Sequence, residues 1–78
     1  MSSNMLDKNK LLQHFGKNLK EARNHKGISQ EELALSLGFD RTYISMIERG
    51  KRNPSLFTIY KIAHFLDTTV AELTLKVK

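Results

Sequence analysis

The stretch that decides the fold is SQEELALSLGFDRTYISMIERGKRNP, residues 29–54. Its first four residues form a capping box, in which Ser29 accepts a backbone N–H and Glu32 reaches back to the start of the helix. A helix is therefore predicted over residues 30–37. Gly38 ends it, because glycine readily adopts the positive φ that a sharp turn requires.

A second short helix is predicted after this turn. Asp40 is placed as its N-cap, with the carboxylate against the positive helix end, and Gly50 terminates it. The helix therefore covers residues 41–49. Ile44 and Ile47 are its only large aliphatic pair at the spacing i, i+3, so we expect them to fix this helix to the core. The opposite face is then free to point outward.

Three further helices flank this pair. The apolar side chains of residues 9–25 recur at steps of three and four, which indicates an amphipathic helix. Ser55 is placed to cap a helix over residues 56–66, and a capping box from Thr69 to Glu72 starts a short fifth helix. The chain is therefore predicted to be all-α, with five helices.

Length and composition limit the class of protein. The 78 residues suffice for one domain, predicted over residues 9–78 after a flexible arm at residues 1–8. Thirteen Lys and Arg against eight Asp and Glu give a net charge of +5, which favours a polyanionic partner. No stretch resembles a signal peptide or a membrane span, so we expect a cytoplasmic, nucleoid-associated protein. The tail over residues 73–78 alternates apolar and polar residues, which fits either a helix or a strand.

The sequence offers no chemistry typical of an enzyme. It lacks a Gly-rich phosphate loop and a His-Glu-x-x-His motif, and it contains no cysteine. His14 and His25 are eleven residues apart, which is about 16 Å along a helix and too far to share a metal ion. We therefore expect no catalytic residue, no metal, no cofactor and no small-molecule ligand.

The outward face of the second short helix suits the major groove of DNA. Arginine can bind N7 and O6 of a guanine together, and threonine or methionine can pack against a thymine methyl group. The residues predicted to contact bases are Arg41, Thr42, Ser45 and Met46.

Residues 29–54 resemble the lambda-repressor-like, XRE-type helix-turn-helix domains, and the resemblance extends from Phe15 through Leu66. It implies a compact five-helix DNA-binding domain. Within this family, the runs FDRTYIS and ERGKRN in so short a chain look like the controller proteins of restriction-modification systems. Met46 departs from many of those controllers, which carry a smaller residue at this place.

The resemblance also implies roles for single residues. Arg23 and Glu48 match a structural ion pair that ties the first helix to the third. Such a pair makes physical sense, because an unpaired carboxylate beside the core residue Ile47 would be costly. Contacts to the DNA backbone are implied for Gln30, Tyr43, Arg49, Arg52, Asn53 and Ser55. The resemblance also implies that Gln30 braces the recognition helix, which is the second of the two short helices.

The helix predicted over residues 56–66 is apolar on nearly every side. Such a helix is buried on more than one side, and a monomer of this size offers only one. We therefore predict a homodimer, although packing of some of these residues against the tail remains an alternative. The predicted interface consists of Ile62, Phe65, Leu66, Val70 and Leu73.

Together these features predict a sequence-specific transcriptional regulator that binds double-stranded DNA as a dimer on a pseudo-palindromic operator. The resemblance adds control of a restriction-modification operon as the specific role. Two alternatives remain open at this point. One is an antitoxin that binds a toxin and represses its own operon, and the other is a helical domain that binds only proteins.

Overall fold

Five α-helices make up the computed structural model, which describes residues 7–75. No strand is present within that range, and the predicted all-α class is confirmed. For the four helices whose first and last residues were both predicted, each predicted boundary lies within one residue of the observed one. None of the described helices is long and apolar enough to cross a membrane. The helices are α1 Lys8–Lys26, α2 Gln30–Leu37, α3 Arg41–Glu48, α4 Leu56–Phe65 and α5 Val70–Leu73.

Helix α1 begins inside the segment that was predicted as a flexible arm. The Asp7 carboxylate accepts hydrogen bonds from the backbone N–H groups of Asn9 and Lys10, at 2.9 and 3.3 Å. Lys8, which the prediction assigned to the arm, is therefore the first residue of α1. Residues 1–6 of the predicted arm and the last three residues of the tail lie outside the described residues.

Local capping sets the other boundaries. The capping box at α2 is complete, because Ser29 accepts from the Glu32 N–H at 3.0 Å and Glu32 accepts from the Ser29 N–H at 2.8 Å. Thr69 likewise accepts from the Glu72 N–H at the start of α5. Asp40 occupies the N-cap position of α3, but its side chain makes no capping hydrogen bond. The predicted N-cap position is therefore confirmed, without a hydrogen bond from the helix end to the carboxylate.

The core lies where α2, α3 and α1 meet, with α5 packed against both α1 and α4. Ile44 and Ile47 are fully buried, as predicted, so α3 is fixed on its inner side. The α2–α3 turn is tight, because Gly38 has φ of 77° and the Phe39 N–H donates to the Ala34 carbonyl at 2.8 Å. This geometry holds α3 at the surface, with one side free.

A glycine on α1 sets the distance between α1 and α3. A Cβ atom on Gly16 would lie 2.5 Å from the carbonyl oxygens of both Ile47 and Glu48. That separation is far below van der Waals contact, and the atoms opposing it belong to the backbone. The C-terminal end of α3 therefore rests directly on α1, a contact that the sequence analysis did not identify.

Three of the five residues predicted for the dimer interface belong to the core of the single chain. Ile62, Leu66 and Leu73 are 0%, 5% and 1% exposed. The prediction was wrong for these three because α5 packs on the side of α4 that had been assigned to a partner, and all three side chains join the core of the single chain. Phe65 and Val70 pack against the same core and remain partly exposed.

Candidate nucleic-acid interface

The buried residues of α3 show which of its sides faces outward. Ile44, Ile47 and Glu48 point into the protein, and successive helical residues are offset by about 100°. The remaining side chains therefore face outward or lie at the edges of that face. Among the predicted base contacts, Arg41 and Thr42 are exposed, whereas Ser45 and Met46 are half-buried.

The dimensions of this face fit a DNA groove. The eight residues of α3 make a helix about 12 Å long, at roughly 1.5 Å per residue. The major groove of B-DNA is about 12 Å wide and admits one α-helix. Short polar side chains and one methionine on α3 would let the helix approach base edges closely.

A buried ion pair anchors α3 to α1, as the resemblance implied. Arg23 donates from Nε to Glu48 Oε2 at 2.6 Å and from Nη2 to Glu48 Oε1 at 3.1 Å. The two side chains are only 9% and 2% exposed. A third donor group, Arg23 Nη1, reaches the carbonyl oxygen of Ile28 at 2.9 Å. The predicted pair of Arg23 and Glu48 is therefore present, with good bidentate geometry.

This ion pair continues outward to the α3 surface. Gln30 Nε2 donates to Glu48 Oε1 at 2.9 Å. On the other side of the same amide, Gln30 Oε1 accepts from Arg41 Nη1 at 3.4 Å. Hydrogen bonds thus connect the buried Arg23–Glu48 pair to Gln30, a predicted backbone contact, and Gln30 to Arg41, a predicted base contact. The resemblance implied that Gln30 braces the recognition helix, and its contact with Arg41 at the start of α3 agrees with that role.

Two cations and three aromatic rings form a continuous row from the loop after α3 to α4. The Arg52 guanidinium lies 5.0 Å from the centre of the Tyr43 ring, and Phe39 meets Tyr43 edge-on with ring centres 5.0 Å apart. The Lys61 ammonium lies 4.9 Å from the centre of Phe39 and 5.7 Å from that of Phe57. We call these five residues the cation–aromatic row. It brings the predicted backbone contacts Tyr43 and Arg52 together.

The remaining predicted backbone contacts lie between the end of α3 and the start of α4. Arg49 is the exposed C-cap residue of α3, and Asn53 is exposed in the loop that follows. Ser55 caps α4 by accepting from the Thr58 N–H at 3.1 Å, so the positive end of that helix faces the loop. These positions can offer donors to a phosphate, and their contact with DNA remains a prediction.

A basic cleft adds residues that the sequence analysis did not select. It has a volume of about 360 Å³ and lies between the start of α1 and the loop after α3. Its charged groups are Lys8, Lys51 and Arg52, and Asn9, Gln13 and Asn53 supply amides. Arg52 and Asn53 were already among the predicted backbone contacts. Lys8 was not, because the prediction placed it in the arm.

A larger groove of about 600 Å³ separates α1 from α5. His14 and His25 lie along it, but no group of His, Asp and Glu within residues 7–75 is arranged to hold a metal ion. At its margin the Lys26 ammonium lies 2.7 Å from the Asp67 carboxylate. The hydrogen bond and positive charge of Lys26 lower the pKa of Asp67 below its ordinary value. Lys26 and Asp67 thus form a surface ion pair at the margin of this groove.

Comparison with known proteins identifies the family. The sequence model of the helix-turn-helix family matches residues 19–73, which include all of α2, α3 and α4. The chain belongs to the helix-turn-helix family. The resemblance drawn from residues 29–54 is therefore confirmed.

Controller proteins are among the relatives of this helix-turn-helix chain. Control protein C.MunI of Mycoplasma is 48% identical over 60 residues, which cover 76% of this chain and 81% of the relative. The crystal structure of the restriction-modification controller protein C.AhdI from Aeromonas hydrophila has a TM-score of 0.75 and 50% identity. It aligns over 80% of this chain and 94% of C.AhdI.

The same fold also serves a regulator of another kind. ClgR, the clp gene regulator of Corynebacterium glutamicum, has a TM-score of 0.82 and 28% identity, with 86% of each chain covered. The fold of this chain is thus similar to that of ClgR as well as to that of C.AhdI. Identity is higher with the two controller proteins than with ClgR.

Proposed function

We propose that this helix-turn-helix protein is a sequence-specific transcriptional regulator that binds double-stranded DNA as a homodimer. The observation that carries the proposal is the outer face of α3, which stays free while its inner face and its C-terminal end are fixed to the core. Basic residues at the edge of this face add the charge that a DNA backbone attracts. Binding to double-stranded DNA in the cell would place the protein in the cytoplasm, at the nucleoid.

In this proposal, α3 discriminates bases and the surrounding residues hold the register. Arg41 binds a guanine edge, and the smaller side chains along α3 contact neighbouring bases. Phosphate contacts fix orientation without reading sequence. Base contacts are assigned to Arg41, Thr42, Ser45 and Met46, and phosphate contacts to Gln30, Tyr43, Arg49, Arg52, Asn53, Ser55, Lys8 and Lys51.

The dimer interface in the proposal moves to the outer side of α4. Phe57 and Tyr60 lie three residues apart on that side and are 73% and 57% exposed. Exposed aromatic pairs of this kind are typical of protein interfaces. We assign the surface to a second copy of this chain, because a twofold contact through α4 would hold two α3 helices in a fixed relation. Phe57 also belongs to the cation–aromatic row, which connects this surface to α3.

Control of a restriction-modification operon is the specific role that we propose. It is supported by the similarity to C.MunI and C.AhdI, whose lengths this chain largely spans. The proposed site is a pseudo-palindrome with half-sites one helical turn apart, about 34 Å, so that each subunit places α3 in the major groove on one face of the duplex.

The experiment that tests the proposal is selection of bound duplexes from a random DNA pool at about 150 mM salt, where nonspecific binding is weakened. We expect enrichment of an inverted repeat. That repeat can then be sought upstream of the gene for this protein and beside genes for a restriction endonuclease and methyltransferase. Recovery of no motif, with retention that disappears as salt rises, would contradict the proposal.

A further inference from the structure

We propose that Lys61 determines which spacing between half-sites the dimer accepts, because it fixes the angle between α4 and the helix pair formed by α2 and α3. This inference rests on the proposed function, in which the outer side of α4 is the dimer interface and α3 reads DNA, and it deepens that function. Lys61 is then a positioning residue, since it acts on DNA only through the placement of α3.

Lys61 links α4 to the turn between α2 and α3. It is half-buried, and its ammonium lies 4.9 Å from the centre of the Phe39 ring and 5.7 Å from that of Phe57. Lys61 Nζ also donates to the carbonyl oxygen of Leu37 at 3.4 Å. The last carbonyl groups of a helix have no partner within it and form its negative end, so an ammonium is well placed at the end of α2. One cation therefore contacts the end of α2, the turn and α4.

The other packing between α4 and the α2–α3 pair is less directional. Within residues 7–75, α4 packs on α5 and comes close to α2 or α3 at few positions. Its buried residue Ile62 shares the core with Leu33 and Ile44, and burial of apolar surface favours contact without fixing its direction. The contacts of Lys61 lie outside this core, among partly or largely exposed side chains. They therefore resist a turn of the helix pair about the core.

A small turn of the helix pair changes the reach of the dimer by one base pair. Half-sites about 34 Å apart place each α3 about 17 Å from the twofold axis. A turn of about 10° then moves α3 by about 3 Å, which is close to the rise of one base pair, about 3.4 Å. The angle that Lys61 fixes therefore decides whether both α3 helices meet their half-sites together.

The ring that Lys61 contacts on α4 belongs to the proposed interface. Phe57 is 73% exposed in the single chain, and a twofold contact through α4 would remove water from it. Attraction between a cation and an aromatic ring becomes stronger when water is removed. The link between α4 and the turn is therefore firmest in the dimer, which is the form that binds both half-sites.

The test compares the selected operator with two versions whose half-sites lie one base pair closer or one base pair farther apart. The wild type should lose at least about tenfold in affinity on these versions, because a second half-site out of reach adds no avidity. Lys61→Met keeps the unbranched stem and removes the charge. Its loss should be roughly threefold smaller than that of the wild type, in line with the cation–aromatic contacts removed. Base preferences and affinity for a single half-site should stay as in the wild type.

Three further variants separate positioning from loss of charge or of packing. Lys61→Arg should keep the wild-type spacing preference, because a guanidinium also stacks on aromatic rings and donates hydrogen bonds. Lys17→Met is the matched control, since it removes the same charge beside the groove between α1 and α5, and it should keep that preference too. Phe39→Leu removes the ring and retains apolar packing. It should relax the spacing preference as Lys61→Met does, and it serves as the test if Lys61→Met does not fold.

An unchanged spacing preference in Lys61→Met, or in Phe39→Leu where that variant is the test, would overturn the inference. A wild type that binds all three spacings equally would overturn it as well. So would a Lys61→Met protein that sediments as a monomer, because Lys61 would then serve dimerisation itself. Failure of the wild-type protein to prefer any sequence would instead contradict the proposed function, so the two failures are distinguishable.

Discussion

Gly16 shows how one residue can determine where a helix sits. Its Cα faces the last carbonyl groups of α3, where a Cβ atom would lie 2.5 Å from two oxygens. Periodicity marked the apolar side of this helix correctly, because that pattern depends on neighbours along one chain. It did not mark Gly16, because the close approach depends on where α3 lies in space.

Gly16→Ala should therefore destabilise the protein. The new methyl group meets backbone atoms, which can move only if α3 moves, and overpacking of this kind costs about 1–3 kcal/mol. In a domain of this size each kcal/mol lowers the melting temperature by roughly 4–8 °C. Thermal unfolding of both proteins at equal concentration measures the effect.

Lys20→Ala is the control for this substitution, because Lys20 is exposed on the same helix. It should leave the melting temperature nearly unchanged. A Gly16→Ala protein as stable as the wild type would show that α1 and α3 do not approach as closely as described.

Hydrogen bonding at the residue scale was predictable only in part. The complete box at Ser29 and Glu32 follows from local sequence, because its partners are three residues apart. The Arg23–Glu48 pair was predicted from the family resemblance, and the structure contains this pair. The resemblance implied that Gln30 braces α3, but the two partners of its amide, Glu48 and Arg41, could not be predicted, since they depend on how α2 and α3 cross.

At the scale of elements, helix ends were well predicted, whereas the buried side of α4 was not. Caps and glycines act locally, so they define where α2, α3 and α4 begin and end. An apolar helix such as α4, however, does not reveal which side meets the rest of the chain. Ile62 and Leu66 were assigned to a partner, whereas α5 packs against α4 and buries them within the chain.

The loop after α3 is the element that we expect to contribute most of the backbone contacts. Arg52 stacks on Tyr43 and lines the basic cleft, so it is held beside the proposed DNA surface. Arg52→Ala should weaken binding by a similar factor on every duplex. It should also reduce the slope of log K against log salt by about 0.9, the value for one phosphate contact. Titrations at several salt concentrations give both quantities.

Lys17→Ala provides the control for the loss of one positive charge. Lys17 lines the groove between α1 and α5, away from the basic cleft. Its removal should leave the salt slope close to that of the wild type. Equal slopes for Arg52→Ala and the wild type would remove Arg52 from the proposed backbone contacts.

For the whole molecule, the proposed dimer depends on the outer side of α4. Tyr60→Asp should give monomers at micromolar concentration, because a carboxylate would be buried without a partner in the twofold contact. Sedimentation velocity measures this directly. The same variant should bind a single half-site much more weakly than the wild type binds the full operator.

Leu35→Asp is the matched control for this experiment. Leu35 is 81% exposed on α2 and lies outside the proposed interface, so its substitution should leave the dimer intact. A Tyr60→Asp protein that sediments as a dimer would place the interface elsewhere. Phe65 and Val70, which remain partly exposed, would then be the residues to substitute next.

The central claim is that α3 reads DNA sequence through Arg41. The most direct test measures the affinities of wild-type and Arg41→Ala protein for the selected operator and for a duplex with the Arg41 base pair changed. The account predicts that this change costs the wild type about 1–3 kcal/mol and that Arg41→Ala no longer distinguishes the two duplexes. Equal weakening of Arg41→Ala on both duplexes, with the wild-type preference retained, would make Arg41 a phosphate contact and contradict the claim.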